Sequence, residues 1–264
     1  MNLGLKGKRA LVTGSTAGIG LATARALAAE GAFVTVNGRT QARVDSAVSG
    51  LRRDLPDASV SGIAADLSSR EGFERLIAQL PEVDVLVNNL GIFEVKSFEQ
   101  ISDEDWIHYF EVNVLSGIRL SRHYVGGMRS HNWGRIVFVS SESGLQIPTE
   151  MIHYGMTKTA QLAVARGLAE TLVGTGVTVN SVLPGPTASE GVGGFVAQMA
   201  ADRGVDVATV EREFFATARP SSILQRFTTP DEIAAMITYI CGVPASATTG
   251  ASLRVDGGVV RTIA

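Results

Sequence analysis

Cysteine, long apolar runs and net charge are all scarce in this sequence, and each shortage removes a class of function. The 264 residues hold one cysteine, Cys241, so no internal disulfide can form and a reducing compartment is expected. Cys241 lies in the apolar helical run IAAMITYIC, where a buried core thiol is expected. No run of 18 apolar residues occurs, and MNLGLKGKRA leads straight into a strand without an apolar signal-peptide core. The expectation is a cytoplasmic protein that neither spans nor binds a membrane. A formal charge of -3 gives no basic excess, so nucleic acid is not expected as a partner. None of His108, His123, His131 and His153 has metal-ligand spacing, and no metal is expected. What remains, 45% hydrophobic and 19% charged residues, is the composition of a soluble globular chain, long enough for one large α/β domain or two small ones.

What is present is an alternation. Apolar, β-rich runs at 9 to 14, 33 to 38, 59 to 67, 83 to 89, 135 to 139, 177 to 185 and 252 to 258 alternate with helical patterns, and no linker or repeat interrupts them. That order predicts seven strands in one doubly wound parallel sheet. Between the first strand and a helix closed by Gly31 stands Thr13-Gly14-Ser15-Thr16-Ala17-Gly18-Ile19-Gly20. Glycines there permit a tight turn and a close approach of backbone N–H groups to a pyrophosphate, although a glycine-rich turn can also be only a turn. The second strand ends in Asn37-Gly38-Arg39, ahead of Thr40 as an N-cap, and carries no carboxylate. A carboxylate at that point would bind ribose hydroxyls, whereas an arginine accommodates a 2′-phosphate and Gly38 is expected to leave room beside the ribose.

Asp66 and Asn88-Asn89-Leu90-Gly91 end the next two strands, on the side of an open sheet where ligands sit. Ser102-x-x-Asp105 is a capping box for a helix expected to run to about Met128, with Asn113 in its middle. An interior asparagine is mildly unfavourable. Either it is solvent-exposed, or it orders a water or a backbone bend near Lys158. Thr229-Pro230-Asp231-Glu232 is a second strong helix start. Residues 188 to 227 are too long for an ordinary connection and are expected to form a helical lid. Phe195, Met199, Phe214, Phe215 and Ile223 would close over a largely apolar substrate. A rigid insertion packed on the sheet is the other reading of that segment.

The chemistry concentrates in SSESGLQIPTEMIHYGMTK, residues 140 to 158. Tyr154 and Lys158 stand four apart at the start of a helix, on one face. A phenol with a pKa near 10 is a poor acid or base at neutral pH. At an effective dielectric of about 20 and a separation of about 5 Å, an ammonium favours the phenolate by roughly 3 kcal/mol, or roughly two pKa units. The phenol is then expected near the operating pH. A serine hydroxyl at the end of the preceding strand could hold a substrate oxygen beside it. Tyr-x-x-x-Lys alone is common on helices; its setting gives it weight.

Together and in this order the motifs resemble the single-domain short-chain dehydrogenase/reductase family over nearly the whole chain, and within it the 3-oxoacyl-carrier-protein reductases and related carbonyl reductases. The long segment 188 to 227 weighs against a strict acyl-carrier assignment. The resemblance implies one Rossmann-like α/β domain with helices on both faces of a seven-stranded parallel sheet. It implies a catalytic tetrad of Asn113, Ser141, Tyr154 and Lys158, with Ser141 taken over Ser140 because it stands thirteen residues before the tyrosine. A nicotinamide cofactor would be held by Gly14, Ser15, Thr16, Gly18, Ile19, Gly20, Arg39, Asp66, Leu67, Asn89 and Gly91, by Tyr154 and Lys158, and by Pro184, Gly185, Thr187 and Ser189. Arg39 favours NADP(H), with NAD(H) still possible.

By the same resemblance Tyr154 delivers a proton to a carbonyl oxygen as hydride arrives, and Ser141 positions that oxygen. Lys158 lowers the tyrosine pKa, and Asn113 holds a water that replenishes protons through the lysine. Leu90, where alanine is usual, is expected to crowd the cofactor wall, and Glu142 stands where a small apolar residue is usual. A homotetramer built on the helices beginning near Ser102 and His153 is implied. Two other functions stay open: an NAD-dependent enzyme that oxidises an alcohol, and a nucleotide-sensing regulator without chemistry.

Overall fold

Valine, isoleucine and leucine fill the runs that become strands, and the inner strands are covered on both sides as a parallel sheet requires. The computed structural model describes residues 1–263. Its strands are β1 Arg9–Val12, β2 Phe33–Gly38, β3 Val60–Ala64, β4 Val85–Asn88, β5 Gly134–Val139, β6 Val177–Pro184 and β7 Ser252–Val255. They form one sheet in the order β3-β2-β1-β4-β5-β6-β7, and every neighbouring pair is parallel. Val12 is level with Val36 on one side and Val87 on the other. The strand order reverses between β1 and β4, the switch point beside which open α/β sheets bind ligands.

Alternation along each strand splits the core in two. Val12, Val36, Val87 and Val139 meet α1 Gly18–Ala29, α2 Gln41–Asp54 and α9 Pro230–Cys241 through Leu27, Val44 and Ile237. Leu11, Leu86, Ile136 and Phe138 point to the opposite face, toward Leu76 of α3 Arg70–Gln79, Leu120 of α5 Ser116–Ser130 and Ala165 of α6 Ile152–Glu170. Cys241 lies in the first of these clusters, and burial pushes its thiol up to about 12. The remaining helices are α4 Asp103–Phe110, α7 Glu190–Arg203 and α8 Val207–Thr217. Among the described residues no helix is long and apolar enough to cross a membrane.

Both expected capping boxes form, Ser102 with Asp105 and Thr229 with Glu232. Thr40 occupies the N-cap of α2, but its side chain makes no capping hydrogen bond. The helix expected to run unbroken from 102 to 128 is instead α4, a π-helical turn over Glu111–Leu115, and α5. The wide turn carries Asn113 and lodges it in the interior.

Candidate active site

The loops that follow β1, β4, β5 and β6 converge at the C-terminal ends of the strands, around a cavity of about 790 Å³ closed on its far side by α7 and α8. The glycine turn is stitched to the end of β4. Asn89 Nδ2 donates to the carbonyls of Thr13 at 2.9 Å and Gly14 at 3.0 Å, while Thr13 Oγ1 accepts from the N–H groups of Asn89 and Leu90. A Cβ at Gly20 would lie 2.5 Å from Asn89 Nδ2, and Gly14 and Gly18 have φ of 59° and 55°. These positions need glycine for approach and for conformation. They leave a backbone cradle at the N-terminus of α1, suited to a phosphate.

Two expectations around this turn are corrected. Ser15 is buried and turned away from the cleft: its hydroxyl donates to Val12 O at 2.6 Å and accepts from Asn37 N at 3.0 Å, tying β1 to β2. Gly38 leaves no room, because a Cβ there would lie 2.5 Å from Thr16 Cγ2 and 3.2 Å from Val44 Cγ2. The Leu90 side chain is partly buried and packs against the core beneath β4. Arg39 is exposed and has no ion-pair partner among the described residues, whereas Arg43, one turn along α2, is paired with Glu190 at the start of α7 at 3.0 Å. Asp66 accepts from the N–H and hydroxyl of Ser68, and the Leu67 side chain is in the core, so only the Leu67 backbone can face a ligand.

Tyr154 sits in the first turn of α6 and Lys158 one turn on, with Nζ 5.5 Å from the phenol ring centroid. The choice between the two serines is decided by partners. Ser140 Oγ donates to the Lys158 carbonyl at 2.8 Å, whereas Ser141 stands beside the phenol and accepts from Ser143 N at 3.1 Å. Burial pushes the Tyr154 phenol up to about 12, partly opposed by its hydrogen bond to Ser141. Burial also pushes the Lys158 ammonium down to about 7. The expectation of a phenol brought near neutrality by the lysine is therefore corrected. Desolvation disfavours the charged form of both groups and outweighs their mutual Coulomb attraction.

Asn113 is buried, which removes the solvent-exposure reading. Its Oδ1 accepts from Ile92 N at 2.8 Å, and its Nδ2 donates to Ile92 O and Thr157 Oγ1, both at 3.0 Å. Its main-chain carbonyl is joined to Lys158 by a side chain that no sequence motif marks. Gln161 Nε2 donates to the Asn113 carbonyl at 2.5 Å, and Gln161 Oε1 accepts from Lys158 Nζ at 3.3 Å.

Glu142 faces the cavity yet is buried, and Arg219, just beyond α8, meets it at 2.9 Å while reaching Glu150 at 3.1 Å. Thr187 spends its hydroxyl on Gly185 O and Thr228, and the Ser189 hydroxyl caps α7 by accepting from Val192 N. Pro184, Gly185, Thr187 and Ser189 all line the cavity, as do Ile19, Asn89 and Gly91. Of the apolar lid residues, Met199 and Phe214 line it. Phe215 is instead buried against Phe214 and Phe227, Ile223 points to solvent, and the Phe195 side chain lies outside the described residues. Val192, Val196, Val210 and Phe227 complete the apolar wall, and no local motif marked them.

A family model described as short chain dehydrogenase matches residues 8–200. The oxidoreductase YvaG of Bacillus subtilis is 45% identical over 263 residues, covering 100% of both chains. D-beta-hydroxybutyrate dehydrogenase of Cupriavidus necator is 34% identical over 97% of this chain and 99% of its own. L-sorbose reductase of Gluconobacter frateurii, solved with NADPH and L-sorbose, superposes over 100% of both chains with a TM-score of 0.94 at 28% identity.

Proposed function

The chain belongs to the short-chain dehydrogenase family, and from that membership we propose that it is an NADP(H)-dependent oxidoreductase reducing a largely apolar ketone, such as a 3-oxoacyl compound, to a secondary alcohol. The observation that carries this reading is the convergence of Ser141, Tyr154 and Lys158 on one cavity, with the backbone cradle of the glycine turn at its margin. When bound, a reduced nicotinamide supplies the hydride. Tyr154, held in its acid form by burial, donates its proton to the carbonyl oxygen, and the Ser141 hydroxyl steadies that oxygen. An acid form at rest supports reduction over oxidation. The Lys158 ammonium stabilises the phenolate left behind. The apolar faces of α7 and α8 support a substrate that is mainly hydrocarbon around its carbonyl, with water excluded as the segment closes. A cytoplasmic location goes with this reading.

The preference for NADP(H) rests on Arg39. The end of β2 has no carboxylate to repel a 2′-phosphate, and Arg39 is free to pair with one, while Arg43 is engaged by Glu190. Charge-assisted hydrogen bonds are worth about 1.5–3 kcal/mol, so Arg39→Ala is expected to weaken NADPH binding by about one to two decades and leave NADH almost unaffected. Fluorescence titration of both cofactors measures this. A kcat/KM ratio that favours NADH in the unmodified protein overturns the cofactor assignment and the reductive direction with it. Gly38→Asp is a poor companion test, since its side chain would collide with Thr16 before it reached a ribose.

The same reading includes a homotetramer. Ile107 and Phe110 of α4 are 61% and 40% exposed, on one of the two helices expected at the interface, and an apolar helical face of that kind needs a cover. Light scattering at micromolar concentration is expected to give four times the mass of one chain. A monomer there overturns it.

A further inference from the structure

Gln161 carries a buried carboxamide to which none of the catalytic roles described above has been given. It lies three residues after Lys158 on the same face of α6 and is only 1% exposed. Its carboxamide spans two partners, the Asn113 carbonyl at 2.5 Å and Lys158 Nζ at 3.3 Å. The orientation of the amide follows from those partners: a carbonyl only accepts and an ammonium only donates, so Nε2 must face Asn113 and Oε1 must face Lys158. Among the described residues the ammonium has one other acceptor, Val139 O at 3.0 Å. The backbone of Gly91 passes close by, where even a Cβ would lie only at contact distance, 3.4 Å, from Nζ.

The carbonyl at the far end is set by the π-helical turn Glu111–Leu115, and the Asn113 side chain clamps that turn to the segment after β4 and to Thr157 of α6. We propose that Gln161 is a positioning residue, whose amide transmits the polarity of the Asn113 carbonyl to Lys158 and so fixes the ammonium beneath Tyr154 and keeps it charged. Polarisation of the amide by the carbonyl makes Oε1 a better acceptor than an isolated carboxamide would be. The catalytic importance of the link rests on the reading of Tyr154 and Lys158 as the acid and its support; the link itself does not.

The charged and titratable groups around the pair are few. Glu142 after β5, Arg219 from beyond α8 and Tyr109 of α4 act on Tyr154, and the shift of Lys158 comes from burial. Strand β5 and the segment after β4 present backbone to the lysine, and the π-helical turn reaches it through Gln161. A change at Gln161 is therefore expected to register on Lys158 with little interference.

The chain has four lysines, Lys6, Lys8, Lys96 and Lys158, so a pH titration of the full protein labelled with 13Cε-lysine can follow each one, with Lys158→Met assigning its signal. Gln161→Met fills a similar volume with no donor and only a weak sulfur acceptor, and Gln161→Glu keeps an acceptor and adds a charge. The Lys158 midpoint is expected to fall by about one pH unit in Gln161→Met and to rise by about one unit in Gln161→Glu. With ethyl 3-oxobutanoate and NADPH as probes, the alkaline limb of kcat is expected to move in the same directions. An unchanged midpoint in Gln161→Met makes the amide a spacer and overturns the proposal. If that variant does not fold, an unchanged midpoint in Gln161→Glu overturns it equally. A midpoint that moves in an unmodified fold that turns over no ketone or alcohol keeps the link and sinks the activity reading instead.

Discussion

Tyr154→Phe is expected to lower kcat for ketone reduction by about 10²- to 10⁴-fold while leaving cofactor affinity nearly unchanged. The substitution removes one oxygen. The ring keeps its edge contact with Phe93 at 6.2 Å and its place 5.5 Å from Lys158 Nζ, so packing at the start of α6 survives. The phenol, half-buried in the cavity wall and pushed up to about 12 by desolvation, is protonated throughout the pH range in which the protein would work, and no neighbour can replace it as the acid. Ser141 has a hydroxyl but is an intrinsically weaker proton donor, and the Lys158 ammonium is held by Val139 O and Gln161 Oε1. Absorbance of the reduced nicotinamide measures the rate, and fluorescence titration measures the affinity. Retention of more than about a tenth of the wild-type rate removes Tyr154 from the role of acid.

Patterns that repeat within a strand or a turn of helix were legible in the sequence; partnerships across the chain were not. The seven strands announce themselves because residues such as Val85-Leu86-Val87 are apolar on both faces, and the helix starts at Ser102 and Thr229 because a cap and its acid are three residues apart. Tyr154 and Lys158 share a helix face, so their proximity follows from a period. Glu142 and Arg219 are 77 residues apart, and Asn113 and Gln161 are 48 apart, so nothing local links them. Gly38 and Ser15 were misread for the same reason: whether a glycine leaves space, or a hydroxyl faces a cleft, depends on Thr16, Val44 and Asn37 as packed. The phenol's shift ran against the simple Coulomb argument because burial is a property of the fold. Asn113 is the intermediate case. Its presence within a helix signalled a local irregularity, and the π-helical turn is that irregularity, but its partners came only with the structure.

Arg219→Met is expected to destabilise the protein by roughly 3–5 kcal/mol and to loosen the segment from 190 to 217, because it strands a buried carboxylate. Glu142 is 3% exposed and Arg219 8%, and after the substitution the carboxylate would keep only the Ser143 hydroxyl, now at 2.8 Å. The guanidinium also reaches Glu150 just ahead of α6, so one side chain ties the end of α8 to the residue after Ser141 and to the approach to Tyr154. Methionine keeps much of the buried stem and removes the charge.

Two consequences separate this lock from simple packing. First, the double variant Glu142→Gln with Arg219→Met leaves no unpaired charge and is expected to recover most of the lost stability, giving a large coupling in a double-mutant cycle. Second, Glu142 pushes the Tyr154 phenol up and Arg219 draws it down, so removing Arg219 alone drives the phenol further toward its acid form. Alcohol oxidation, which needs the phenolate as base, is then expected to suffer more than ketone reduction, which needs the acid. Thermal unfolding, amide hydrogen exchange over α7 and α8, and rates in both directions read these effects. An Arg219→Met protein with unchanged stability and unchanged exchange would mean that the ion pair holds nothing in place, since a buried carboxylate that loses its partner at no cost was not relying on it.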